Sequence, residues 1–180
     1  YVSLCSCSIV SKNFIILINY LLALTLHELA HFFMAASRGY KLSKIKLGLF
    51  GMSIDLDLPL DDKDNFWVNI AGPICNLFIC LICLAIYWLI PSSFYYLDAF
   101  CIANLTLAIF NLIPIYPLDG YNIIDSFCKT ENTFMTFMKR YSFIIYLIIA
   151  FTGIYYYFYT ITSGLLITWL TKLFVWILGF

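Results

Sequence analysis

The chain has 180 residues, of which 63% are hydrophobic and 11% charged, with ten Lys or Arg balanced by ten Asp or Glu. So apolar a composition excludes a soluble domain with an ordinary core and points to a polytopic membrane protein. A net charge of zero gives no footing for nucleic acid, and seven cysteines scattered mostly through apolar runs argue against a disulfide framework.

The first apolar stretch, residues 14–37, holds both histidines of the chain in the run His27-Glu28-Leu29-Ala30-His31. Positions i and i+4 of a helix face the same way, so both imidazoles can reach one zinc ion. Glu28 then lies beside the metal, placed to take a proton from a water that the metal polarises. The bland alternative is a pair of histidines satisfied by local hydrogen bonds. Burying two imidazoles and a carboxylate in a membrane span is costly without a role for them.

Residues 41–58 read differently. Ile45, Leu47 and Leu49 alternate with Lys44, Lys46 and Gly48, and Ile54, Leu56 and Leu58 alternate with Asp55 and Asp57. This period of two on both sides of Gly48–Gly51 predicts a small membrane-associated β-hairpin after the histidine helix.

Residues 66–90 and 99–118 contain no charged side chain until Asp98 before the second run and Asp119 after it, and residues 141–180 contain only Lys172. The last stretch would be about 60 Å long as one helix, roughly twice the hydrocarbon thickness. It is expected to fold back near 160–164, giving about five transmembrane helices in an all-α polytopic fold. Cys80 and Cys83 form a CxxC inside a span and read as small apolar residues. No internal repeat is found. The expected organisation is one membrane-embedded domain over 1–180, with a catalytic core at 14–125 and a C-terminal helical pair at 141–180.

Eight of the ten Lys and Arg fall in the loops after the first and third spans, which lie on one side of the membrane. The excess of positive charge assigns that side to the cytoplasm.

Two histidines leave a zinc site one protein ligand short, since catalytic sites usually have three plus a water. The third span ends Asn111-Leu112-Ile113-Pro114-Ile115-Tyr116-Pro117-Leu118-Asp119-Gly120. Two prolines break the helix there, and free backbone at membrane depth is tolerated only against protein or a wet cavity. His27 lies 11 residues before Arg38, and Asp119 lies 10 residues before Lys129. Each is therefore about 15 Å from the same charged face if its segment is helical. Asp119 is the expected third ligand; the alternative is an ordinary loop aspartate at the membrane surface.

These motifs resemble the site-2 proteases, zinc metalloproteases that cut inside the membrane. The resemblance rests on His27-Glu28-Leu29-Ala30-His31, on Ala71-Gly72-Pro73-Ile74-Cys75-Asn76, and on Asn111-Leu112-Ile113-Pro114 followed by Pro117-Leu118-Asp119-Gly120. It is most like the subgroup of stage IV sporulation protein FB, which releases a sporulation sigma factor from a membrane-tethered precursor. The resemblance implies Zn2+ held by His27, His31 and Asp119, with Glu28 as general acid/base. It implies Asn76 and Asn111 as substrate-binding positions near the cleft, against the alternative of interhelical hydrogen bonds. Expected partners are the lipid bilayer, a transmembrane or membrane-tethered protein substrate and a membrane-protein inhibitor. The expected location is a bacterial cell or forespore membrane, with the active site toward the cytoplasm. The sequence departs from the subgroup in having Tyr121 where Gly often follows Asp-Gly, and in carrying no PDZ or CBS segment. The rival reading is a membrane metal transporter or metal-binding scaffold built on the same His/Asp cluster.

Overall fold

The computed structural model describes residues 2–48, 51–57, 59–90, 94–128 and 133–152, with isolated helical positions between 157 and 176. Helix α1 runs over Val2–Ser37, so the expected span at 14–37 continues back to Val2. At 36 residues it is about 54 Å long. It ends on Gly39, whose φ of +91° is left-handed. Gly39 N–H donates to the Ala36 carbonyl and Tyr40 N–H to the Ala35 carbonyl. These paired bonds are the Schellman closure, which takes up carbonyls the helix end leaves open.

Strands β1, Leu42–Gly48, and β2, Gly51–Leu56, pair antiparallel, with Ile45 opposite Ile54 and Leu47 opposite Met52. A bulge falls between Leu42 and Lys44. The base of the hairpin is tied twice: Asp57 N–H donates to the Lys41 carbonyl, and Lys41 N–H donates to Asp57 Oδ1. The tip at 49–50 and Leu58 lie outside the described residues.

Helix α2, Asp62–Leu89, opens with a side-chain cap: Asp61 Oδ1 accepts from Asp64 N–H at 2.7 Å. Asp62 and Asp64 in its first turn meet the positive end of the helix dipole. Asp64 also ties this end to the end of α1. It accepts from Arg38 Nη1 at 2.7 Å and from the Tyr40 hydroxyl at 3.1 Å. Helix α3, Phe94–Asn111, is shorter than the apolar run 99–118 suggested. Pro114 disfavours helical backbone at the residue before it and has no N–H to give. The chain leaves α3 in tighter turns, with Leu112 N–H on the Ile109 carbonyl and Ile113 N–H on the Phe110 carbonyl. After a cis Tyr116–Pro117 bond, the seven-residue helix α4 begins at Asp119. Helix α5, Thr133–Thr152, starts before the expected 141 and carries Lys139 and Arg140 within it. Near the expected fold-back, Thr160, Ile161 and Gly164 are helical rather than turned.

Two helices, over Phe14–Ser37 and Asp62–Tyr87, are long and apolar enough to cross a bilayer, and Leu97–Asn111 is a shorter apolar one, among the described residues. Their outward faces carry Phe14, Ile15, Leu21, Phe33, Ile74, Phe78 and Leu81, all exposed. The buried set includes His27, Asn69, Asn76, Asn104 and Thr106. An apolar outside around a core that also buries amides is what a hydrocarbon surround favours. Small residues let the helices approach: Ala23, Ala103 and Ala108 are buried between α1 and α3 or within α3's inner face.

A candidate metal centre between three helices

The period of α1 brings His27 and His31 to one face, their rings edge to face with centroids 4.7 Å apart. They lie against α2 at Gly72. A Cβ at that position would come within 2.5 Å of His31 Nε2 and 2.6 Å of His27 Cε1, so glycine is the residue that lets both rings seat on the helix backbone. Asp119 arrives from α4. A Cβ at Gly120 would collide with the Leu112 carbonyl, so glycine again permits the approach that swings α4 back under the end of α3.

The result is a tight triangle. His27 Nε2 is 2.9 Å from Asp119 Oδ2, His31 Nε2 is 3.3 Å from the same oxygen, and the two Nε2 atoms are 3.1 Å apart. Zinc binds nitrogen and oxygen at about 2.0–2.1 Å, which makes the edge of a tetrahedral site about 3.3–3.4 Å. The three donors therefore nearly form one face of such a tetrahedron, and two imidazoles with one carboxylate are a fitting donor set. Among the described residues, this is the group of His, Cys, Asp and Glu side chains placed to hold a metal ion. His27 keeps only 2% of its side-chain exposure, whereas His31 keeps 12% and Asp119 14%. The centre is thus closed behind His27 and reached from the His31–Asp119 side.

Glu28, next along α1, is partly buried and within electrostatic reach of His31 and Asp119. His31 Nδ1–H donates to the Val68 carbonyl at 2.7 Å, which fixes the ring and leaves its Nε2 lone pair facing the triangle.

The two asparagines expected at substrate positions both make hydrogen bonds within the protein. Asn76 is fully buried, and its amide lies 3.2 Å from His27 Nδ1, behind the ring rather than on an open surface. Asn111 Nδ2 donates to the Leu107 carbonyl of its own helix. Asn104 does the same toward Phe100. Tyr121, the departure after Asp-Gly, is buried and packs edge to face on Tyr116, centroids 5.4 Å apart.

A feature that motif reading misses joins α2 to α4. Asn69 Nδ2 donates to Asn65 Oδ1 and to the Asn65 carbonyl, Asn122 Nδ2 donates to Asn69 Oδ1, and Asn65 Nδ2 donates to the Asn122 carbonyl. This amide ring holds the helix that bears Asp119. Its signal was present in the spacing: 65, 69, 72 and 76 fall on one face of a helix, so Asn65, Asn69, Gly72 and Asn76 form a single stripe toward the centre.

No protein-family model matches the sequence. The fold is that of a solved site-2 protease from Methanocaldococcus jannaschii, with a TM-score of 0.62 over 83% of this chain and 76% of that one, at 24% identity. In sequence the chain is similar to a zinc metalloprotease of the same archaeon, 29% identical over 120 residues that make up 65% of this chain and 35% of that protein. It is also similar to stage IV sporulation protein FB of Bacillus subtilis, 28% identical over 108 residues, 58% of this chain and 37% of that one. The match thus spans little more than a third of these two relatives. The chain is thus similar in fold to a solved site-2 protease and in sequence to zinc metalloproteases.

Proposed function

We propose that this chain is an intramembrane zinc endopeptidase that cleaves a transmembrane or membrane-tethered protein near the cytoplasmic face. The observation that carries the reading is the triangle of His27 Nε2, His31 Nε2 and Asp119 Oδ2, at the spacing of a zinc site, with Glu28 in electrostatic reach of His31 and Asp119. His27, His31 and Asp119 hold the ion. Zinc held there would supply a Lewis acid for a carbonyl oxygen and for a water. Glu28 accepts the proton that water gives up and returns it to the leaving amine. The buried, low-dielectric setting strengthens each of these interactions. A helical substrate keeps its carbonyls hydrogen-bonded, so it unwinds locally before the scissile bond reaches the His31–Asp119 side. The hairpin lies next to this entrance in sequence and offers strand pairing to the unwound segment. The family resemblance makes a sigma-factor precursor the first substrate to try.

Transport of a metal ion is less well supported. An ion path needs polar groups that continue along the helices. Beyond Asn76, the next turns of α2 place Cys80, Cys83 and Leu84 in an apolar cluster with Cys101 and Leu105.

Glu28→Gln separates the readings. Co-expressed with a membrane-tethered substrate, it is expected to abolish cleavage while zinc content stays at the wild-type level. Cleavage at near wild-type rate would remove the protease assignment.

A further inference from the structure

The two histidines are held differently, and the difference assigns a role to Asn76. A metal-binding imidazole needs the lone pair of its ligating nitrogen free, so the ring proton must sit on the other nitrogen and find an acceptor. His31 has one, the Val68 carbonyl at 2.7 Å from Nδ1. For His27 the hydrogen-bonding group at Nδ1 is the Asn76 amide, 3.2 Å away. That amide is fully buried, and its oxygen, Oδ1, has no partner. A buried amide oxygen left unpaired is costly, and here it is an acceptor one half-turn from the nitrogen that needs one. The turn exchanges Oδ1 and Nδ2 within the same volume.

Resting on the metal reading above, we propose that Asn76 is the positioning residue for His27: its amide oxygen accepts the ring Nδ1–H and so turns the Nε2 lone pair toward the point shared with His31 and Asp119. Asn76 stands four residues after Gly72, one turn further along α2. The same helix therefore seats both rings through Gly72 and fixes both protons, His31 through the Val68 carbonyl and His27 through Asn76. The Gly72 carbonyl is also within hydrogen-bonding reach of His27 and is the rival acceptor.

The test uses the full chain in detergent. Zinc affinity is measured by chelator competition for wild type, Asn76→Leu, Asn76→Asp and His27→Ala. Leu has the branched shape of Asn, though it is larger, and cannot accept; Asp keeps acceptor oxygens at the same place. The expected result is a loss of about 10–100-fold in Asn76→Leu, the range for removing an outer partner of a metal ligand. Asn76→Asp is expected to restore affinity to near the wild-type value, which a role in packing alone would not require. Cobalt-loaded wild type is expected to show two paramagnetically shifted, exchangeable N–H resonances, one per ring, with one of them displaced in Asn76→Asp. Wild-type affinity in Asn76→Leu would overturn the proposal and leave the metal site standing, with the Gly72 carbonyl as acceptor. If Asn76→Leu does not fold, the resonances decide: a single exchangeable signal in wild type overturns it. Wild type that binds zinc no better than His27→Ala would overturn the metal reading and this proposal together.

Discussion

The two arms of the metal centre are built on opposite plans. His27 and His31 stand on a helix of 36 residues, whose regular period alone sets them side by side. Asp119 stands on a helix of seven residues, too short to be stable by itself. What holds Asp119 is tertiary: the glycine contact of residue 120 with the Leu112 carbonyl, and the amide ring of Asn65, Asn69 and Asn122. A ligand on a long helix is placed by local geometry, and a ligand on a short one is placed by what the helix rests on. Substitutions behind the two arms should therefore fail in different ways.

The largest effect is expected at Gly72, where both histidine rings touch the backbone. Gly72→Ala should lower zinc affinity by more than about 100-fold and cost about 1–3 kcal/mol of stability from overpacking. Metal titration and thermal unfolding in detergent check it; affinity within tenfold of wild type would mean the rings have room to move. Gly120→Ala disturbs the aspartate arm alone. Zinc affinity should fall by about 10–100-fold, with the histidines still able to bind a metal weakly as a pair. Residual binding abolished by His31→Ala, and not by Asp119→Ala, would show that the arm has detached.

Asn122→Ala should have a smaller effect. It removes one neutral hydrogen bond of about 1 kcal/mol, so the docked fraction of α4, and with it apparent zinc affinity, should drop about fivefold. A loss as large as that of Gly120→Ala would mean the amide ring does more than dock the helix. The smallest effect is expected at Asn19 on α1, whose amide bonds the Ile15 carbonyl on an exposed face. Asn19→Leu should leave zinc affinity unchanged and stability within about 0.5 kcal/mol. A measurable loss there would undo the idea that the histidine arm depends on helix period alone.

What could be read ahead of the coordinates follows the same division. The histidine pair was legible because i, i+4 spacing is a local fact, and the hairpin at 42–56 because alternation is one too. Asp119 was legible at longer range only because two charged flanks gave a common depth mark. The amide ring was legible only on its α2 side, as the helical spacing of Asn65 and Asn69; its partner on α4 was not. Its bonds join residues 53 and 57 positions apart, and a lone asparagine in an apolar run has many equivalent partners. For Asn76 the motif says that an amide is present and not which neighbour it meets, which here is His27. The prolines marked the broken end of the third span, but the apolar run did not tell that the helix itself stops at Asn111, three residues before Pro114.

The knot at Asp64 has a mechanical consequence. Arg38 and Tyr40, just past α1, both bind this one carboxylate in the first turn of α2. The hairpin leaves and re-enters the chain between these tied ends, and its own base is clamped by Lys41 and Asp57. A pull on the hairpin is therefore borne by the clamp and the knot in series. His31 and Val68 lie just inside the knot on α1 and α2, bound to each other at 2.7 Å. The knot thus stands between the strand-forming part of the molecule and the two helix segments that carry the centre.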